Sequence, residues 1–246
     1  MNLRALKAPA VLAAAMMVVV AAGCTDTTVA PKSTVTNANV FKDQNAYEEL
    51  LARVYSGLAV SGQQGPAGNP DIQGIDEGFS QYLRLYWELE ELPTDEAVIG
   101  WNDQGLPPLN TDTWTPQSRM VVAMYYRIFF QVVMANEFLR ETSDSALATR
   151  PEISGALKAK ISQYRAEARF LRALSYWHGI DLFGSIPLVT DSSAIGGAPP
   201  AQASRSDLYN YVVSELQAIK DSLPANTPDN YGRATAGADE MLLAEL

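Results

Sequence analysis

The chain has 246 residues, a formal net charge of -10 and 47% hydrophobic residues. That balance suits a globular protein of one domain, or two small ones, with ample chain to bury a core. With no basic run in it, the sequence argues against nucleic acid as a partner, because phosphate binding needs clustered Lys and Arg, and against broad adsorption to anionic lipid.

The N-terminus reads as a targeting segment. MNLRALKAPAVLAAAMMVVVAAGC places Arg4 and Lys7 ahead of a small, apolar stretch from Ala8 to Ala22, then Gly23-Cys24. Those 15 residues fall short of the ~20 needed to span a bilayer and fit the apolar region of a secretory signal. Cys24 is the sole cysteine, so no internal disulfide can form. A lone cysteine after Ala-Ala-Gly resembles a bacterial lipobox, although Ala21 stands where Leu is commoner. The alternative is a plain secretory signal with a buried cysteine. The lipobox reading predicts a signal over 1–23, a covalent lipid on Cys24 and a polar tether over 24–39. Several acyl chains, at roughly 0.8 kcal/mol per buried CH₂, would then hold the protein on a membrane without a spanning helix.

Helical periodicity begins near Asn45 and runs to Leu58, with Tyr47, Leu50, Leu51, Val54, Tyr55 and Leu58 recurring at helical spacing. Gly57 and the GQQGPAGNP cluster end it. Residues 79–92, FSQYLRLYWELEEL, predict a second helix stopped by Pro93. From Thr94 to Pro116 no period survives, and a loop of that length inside a domain is usually functional or mobile. Residues 117–140 carry an apolar stripe of Val121, Met124, Tyr125, Ile128, Val132, Ala135 and Leu139, widened by Phe129 and Val133. Asn136 lies on that stripe, where an amide must tie two helices or a loop backbone, or meet a ligand.

The next helix, predicted over roughly 156–183, contains AEARFLRALSYWHGIDLFG at 166–184. It has a wide apolar face with small residues in it, and Arg165, Arg169 and Arg172 sit at the edges, where their stems cover apolar surface while the guanidinium groups pair with acids. This pattern describes a core helix rather than a functional box. A short extended segment, SIPLVTD, and a small-residue loop follow. Ser204 and Asp207, three apart, approximate a capping box before a helix expected to run to Pro224. A last helix starts in ATAGADEMLLAEL and stops at Leu246 in mid-pattern, which suggests a piece of a longer chain. The expected fold is all-α: tetratricopeptide-like helical hairpins, 117–140 with 156–183 and 206–223 with 235 onward, joined by long irregular loops.

Catalytic residues are not evident. The only histidine, His178, lies inside a helix and reads as structural. No Cys/His set has zinc spacing, and no Gly-rich loop follows a strand. A glycoside hydrolase needs two carboxylates about 5–10 Å apart, and Glu88, Glu90, Glu91, Asp95 and Glu96 are candidates, but such density is normally a solvated face. The loop after Pro93 offers binding chemistry instead. Trp101 is free to stack on the apolar face of a sugar, Asn102 and Asp103 can hold hydroxyls, and Trp114 is a second platform. The plainer alternative is that both tryptophans pack back on the helices. An exposed tryptophan on a loop is costly unless used.

In combination these features resemble the SusD/RagB family of outer-membrane nutrient-binding lipoproteins. The resemblance rests on Cys24, VFKDQNAYEELLARVYSGL at 40–58, Thr94-Asp95-Glu96, Tyr125 to Ile128 leading to Ala135-Asn136, AEARFLRALSYWHGIDLFGSIPLV at 166–189, and the closing GRATAGADEMLLAEL. It spans the whole chain but only the N-terminal half of a usual member, making 40–246 a SusD-like N-terminal helical domain. The resemblance implies a non-enzymatic lipoprotein, exposed on the outer membrane, that captures an oligosaccharide or sometimes a peptide. It would deliver that ligand to a SusC-like TonB-dependent transporter. It implies no cofactor beyond the lipid; structural calcium serves some members and is not signalled here. A lipid-tethered helical scaffold that binds only protein is the competing class.

Overall fold

A computed structural model describes residues 39–62, 70–150 and 153–246. The signal, Cys24 and nearly all of the tether lie outside the described residues. Phe41–Leu246 forms one compact unit. Its helices are α1 (Ala46–Ser56), α2 (Tyr82–Glu91), α3 (Pro107–Asn110), α4 (Arg119–Glu141), α5 (Asp144–Ala148), α6 (Gly155–Phe183), α7 (Arg205–Ile219) and α8 (Ala236–Glu245). Among the described residues there is no ladder beyond one antiparallel bridge, Pro187 to Gln202. The fold is all-α, as the periodicity indicated.

α6 is the organising element. It packs most extensively on α4 and α7 and also on α1, so the expected hairpin of α4 with α6 is present, and α7 pairs in turn with α8. Ser154 caps its start by accepting from the Leu157 N–H at 3.2 Å, and Gly184, at φ 72°, ends it. The small residues on its face let neighbours close in: a Cβ on Gly179 would lie 2.4 Å from Ile186 Cδ1 of the segment that folds back over the helix. That segment is pinned by Tyr176, whose hydroxyl accepts from the Val189 N–H and donates to the Val189 carbonyl, both at 2.7 Å.

α4 corrects part of the predicted stripe. Met124, Ile128, Val132, Ala135 and Leu139 are buried, but Val133 is 53% exposed and does not widen the apolar face. Its place is taken by two polar residues, Arg127 and Gln131, both fully buried. Gln131 donates to the Val54 carbonyl at 2.7 Å, satisfying the end of α1. Gly57 makes this approach feasible, because a Cβ there would stand 2.2 Å from the Gln131 Oε1. Arg127 donates to the Ser80 carbonyl, to Ser61 O at 2.9 Å and to Ser80 Oγ at 3.1 Å, and pairs with Asp71 at 3.5 Å. One side chain thus fixes the entry to α2.

α7 stops earlier than Pro224 suggests. It ends at Ile219, and Lys220–Ser222 tightens into a 3₁₀ turn. The Ser204–Asp207 cap forms in both directions: the Asp207 N–H donates to Ser204 Oγ at 3.1 Å, and Ser204 donates to Asp207 Oδ2 at 2.6 Å. Two helices, α3 and α5, are too short to print a period. α3 lies within the stretch read as wholly irregular.

α8 holds an uncompensated group. Asp239 is fully buried, and neither carboxylate oxygen has a hydrogen-bond partner. Burial pushes its pKa up to about 6, against some relief from Lys220. The folded value exceeds the unfolded one, so the contribution of this residue to stability is fully present in acid and is lost as pH rises through 6. Asp239→Ala is therefore expected to stabilise the protein by about 1–2 kcal/mol at pH 7.5 and by almost nothing at pH 4. Urea unfolding at both pH values measures this.

Candidate functional site

The Arg-aromatic helix turns out to be core. Arg172, only 3% exposed, donates to Asn136 Oδ1 at 2.6 Å, Asp191 Oδ1 at 2.7 Å and Glu215 Oε2 at 2.8 Å. Arg169 holds both oxygens of the same Glu215, at 3.0 and 2.8 Å. Asn136 in turn donates to the Val189 carbonyl at 3.1 Å, so its amide ties α4, α6 and the returning segment together. Burial alone would raise Glu215, but the hydrogen bonds from Arg169 and Arg172 outweigh it and hold the carboxyl below its usual range. Arg165 takes backbone and hydroxyl partners, Leu139 O at 2.5 Å and Thr142 Oγ1 at 2.9 Å, rather than an acid. These bonds tie α4, α6, α7 and the returning segment together, and leave the buried Arg172 Nε without a partner.

His178 is equally enclosed. Its Nδ1 lies 2.8 Å from the Tyr82 hydroxyl, and Tyr86 stacks on the ring with centroids 4.0 Å apart. Burial pushes its pKa down to about 3. The folded value lies below the unfolded one near 6.5, so its contribution holds at neutral pH and is lost as pH falls. By pH 5 the loss from this residue is about 2 kcal/mol. A His178→Gln variant should show that much less decline between pH 7 and pH 5 in chemical unfolding.

An open groove lies elsewhere, where α2 faces the loop after Pro93. Tyr82 and Leu85 turn inward and are fully buried. Arg84 and Trp87 lie on the opposite face, and Glu88, one turn after Arg84, is buried at its edge. Together with Val98, Ile99, Gly100 and Trp101 they line a groove of about 400 Å³. Trp87 is 46% exposed and Trp101 58%. The loop is shaped from behind by Asn110, which donates to Leu92 O at 3.2 Å and Ala97 O at 3.4 Å, and by buried Leu106 and Leu109 of the α3 turn.

Arg84 is held rather than loose. Its Nε donates to Glu88 Oε1 at 2.8 Å, Nη1 donates to Gly78 O at 2.7 Å, and the guanidinium lies 5.1 Å from the Phe79 ring centroid. Glu88 is 1% exposed, and its second oxygen has no hydrogen-bond partner. Burial raises the pKa of this carboxyl, opposed by Arg84 and assisted by the charge of Asp103. The arrangement offers two flat rings, a fixed planar donor and a carboxylate. Such groups suit a ligand with apolar faces and hydroxyl edges.

The residues singled out from sequence are partly assembled here. Trp101 lines the groove. Asn102 is exposed and Asp103 partly exposed, on the same loop but outside the groove lining. Trp114, 47% exposed, borders a different cavity of about 220 Å³ with Leu89, Pro93, Val121 and Phe183. Neither tryptophan seals the core. Arg84 and Trp87 were not anticipated, and Glu88 stood only among carboxylates read as a solvated face; the i, i+3 and i+4 spacing on a short helix was the available signal. Among the described residues, no cluster of three His, Cys, Asp or Glu side chains is placed to hold a metal ion, and no helix is long and apolar enough to cross a membrane.

The fold and groove together define a helical-hairpin protein with an aromatic surface cleft. No family model matches the chain. It is 34% identical over 198 residues to the starch-binding protein SusD of Bacteroides thetaiotaomicron, a match covering 80% of this chain and 33% of SusD. Solved structures share the fold: a SusD-like carbohydrate-binding protein from Bacteroides fragilis superposes with a TM-score of 0.60 at 20% identity, over 84% of this chain and 37% of that one. Surface glycan-binding protein A from Bacteroides uniformis gives 0.61 at 19% identity, over 82% and 41%. The chain belongs to the SusD family, and it spans about a third of the length of SusD.

Proposed function

We propose that the protein captures a glycan in the groove between α2 and the loop after Pro93, with Trp87 and Trp101 as stacking platforms and Arg84 as the fixed donor. The supporting observation is the pair of tryptophans left about half exposed in the lining of one groove, since large exposed apolar groups with a polar rim mark binding surfaces. Asn102 and Asp103 extend the site along the loop, and Trp114 offers a separate contact. This reading agrees with SusD being a starch-binding protein and with the fold shared with surface glycan-binding protein A of Bacteroides uniformis.

The proposal includes no chemistry. The groove lining holds a single carboxylate, Glu88, where a glycosidase needs two, and the only histidine is buried and neutral. The wider reading is a lipoprotein anchored through Cys24 in the outer membrane and exposed at the cell surface, passing its ligand to a SusC-like TonB-dependent transporter. The outward face of α4, where Tyr126 and Val133 are about half exposed, is the surface proposed to meet that partner. Calorimetric titration of the purified protein against a panel of gluco-, manno- and xylo-oligosaccharides tests capture. Saturable binding of at least one is expected; a folded protein that binds none of them contradicts it. Co-purification of a large TonB-dependent barrel with the lipidated protein tests the partner.

A further inference from the structure

The groove has a charge pattern that its shape does not require. Between Arg84 and Arg119 the sequence contains no Lys, Arg or His, while seven acidic residues fall there: Glu88, Glu90, Glu91, Asp95, Glu96, Asp103 and Asp112. The whole loop wall of the groove, and α2 beyond Arg84, is therefore acidic or neutral. Arg84 is the only cation in the lining, and it is already paired with Glu88 at 2.8 Å. The next cation along the chain, Arg119, is turned to Gly74 O at 3.2 Å and Gln104 Oε1 at 3.4 Å. Asp103 adds a negative charge felt at Glu88. A buried carboxylate is screened less than a surface charge, so its repulsion of a like charge entering the adjoining groove is stronger.

Resting on the reading of this groove as a glycan site, we propose that it selects uncharged glycans and rejects those carrying uronate or sulfate groups. An anionic sugar entering between Trp87 and Trp101 would meet a guanidinium whose charge is spent on Glu88 and a wall with no compensating cation. The aromatic rings themselves favour the apolar faces of neutral sugars and present π-density that repels an anion. Rejection by unpaired like charge is a usual route to specificity where attraction alone discriminates little.

The test compares one oligosaccharide in two forms. The uncharged hexamer that binds best, with maltohexaose, laminarihexaose and cellohexaose as probes, is titrated beside the same oligomer after oxidation of its C6 hydroxyls to carboxylates. Both titrations are run at 0.01 M and 1 M salt, between which the screening length falls from about 30 Å to about 3 Å. The expected result is a preference of at least roughly tenfold for the uncharged form at low salt, narrowing severalfold at high salt. A double variant, Asp95→Lys with Glu96→Lys, both exposed residues, should narrow the low-salt gap further without changing affinity for the uncharged form. Equal or tighter binding of the oxidised form, or a gap indifferent to salt and to the double variant, overturns charge selection and leaves glycan capture standing. Failure of every uncharged hexamer to bind overturns capture, and charge selection with it.

Discussion

Replacing Arg127 with methionine is expected to lower the unfolding free energy by about 3–5 kcal/mol, the usual cost of removing one partner from a fully buried ion pair. Methionine keeps much of the volume, so the loss is electrostatic. Arg127 and Asp71 side chains are 0% and 1% exposed, and the guanidinium also serves the carbonyls of Ser61 and Ser80. Without it, the buried Ser80 carbonyl loses its donor, at a cost of about 1–3 kcal/mol, while the Ser61 carbonyl keeps only the Asp71 N–H at 2.7 Å. Arg127→Lys should recover only part, because one ammonium cannot reach the three directions that the planar fork spans. The midpoint of urea denaturation, with unchanged slope, is the readout. A loss below about 1 kcal/mol would mean that the clamp is not needed to seat α2.

The second large effect is on binding. Trp101→Ala should weaken the best glycan ligand by about 2 kcal/mol, some thirtyfold, and Trp87→Ala by a similar amount, as expected for aromatic anchors at the centre of a site. Both rings are about half exposed and make little contribution to the core, so the melting temperature should stay within a degree or two of the parent. Trp114→Ala tests the separate cavity: the groove predicts near-parent affinity for a short ligand, because Trp114 borders other residues. A large loss there and none at Trp101 would move the site to the far side of α2.

How far the sequence foretold this structure depends on the length over which each signal was averaged. α6 was placed to within about one residue at both ends because 29 proline-free residues sit between a capping serine and Gly184. Asn136 was read correctly as a tie, since an amide on an apolar stripe has few other fates. Arg127 and Gln131 were invisible: a polar residue on a helix is ordinarily solvated, and their partners at Ser61, Ser80 and Val54 lie 47 to 77 residues away. Val133 failed in the opposite sense, because an apolar side chain carries no mark of the face on which tertiary packing leaves it.

The groove shows the same division. Trp101 stood out because it lies in a Gly, Asn and Asp context with no helix to bury it. Trp87 did not, since an aromatic on an amphipathic helix reads as core by default. Glu88 was counted with a solvated acidic face, yet it is 1% exposed, and only the placement of Arg84 beside it explains how that is tolerated. The pairing of α2 with the loop is a tertiary fact, set by Asn110 and the α3 turn, and no local pattern encodes it.

The central claim is that a sugar lies between the rings of Trp87 and Trp101. The chain has four tryptophans, at 87, 101, 114 and 177, so the indole N–H region of a ¹⁵N-correlated NMR spectrum contains four side-chain signals, assignable by single substitution. Titration with the best-binding oligosaccharide should shift the signals of Trp87 and Trp101 along one saturation curve and leave Trp177 and Trp114 in place. Saturable binding that moves neither Trp87 nor Trp101 would contradict the account.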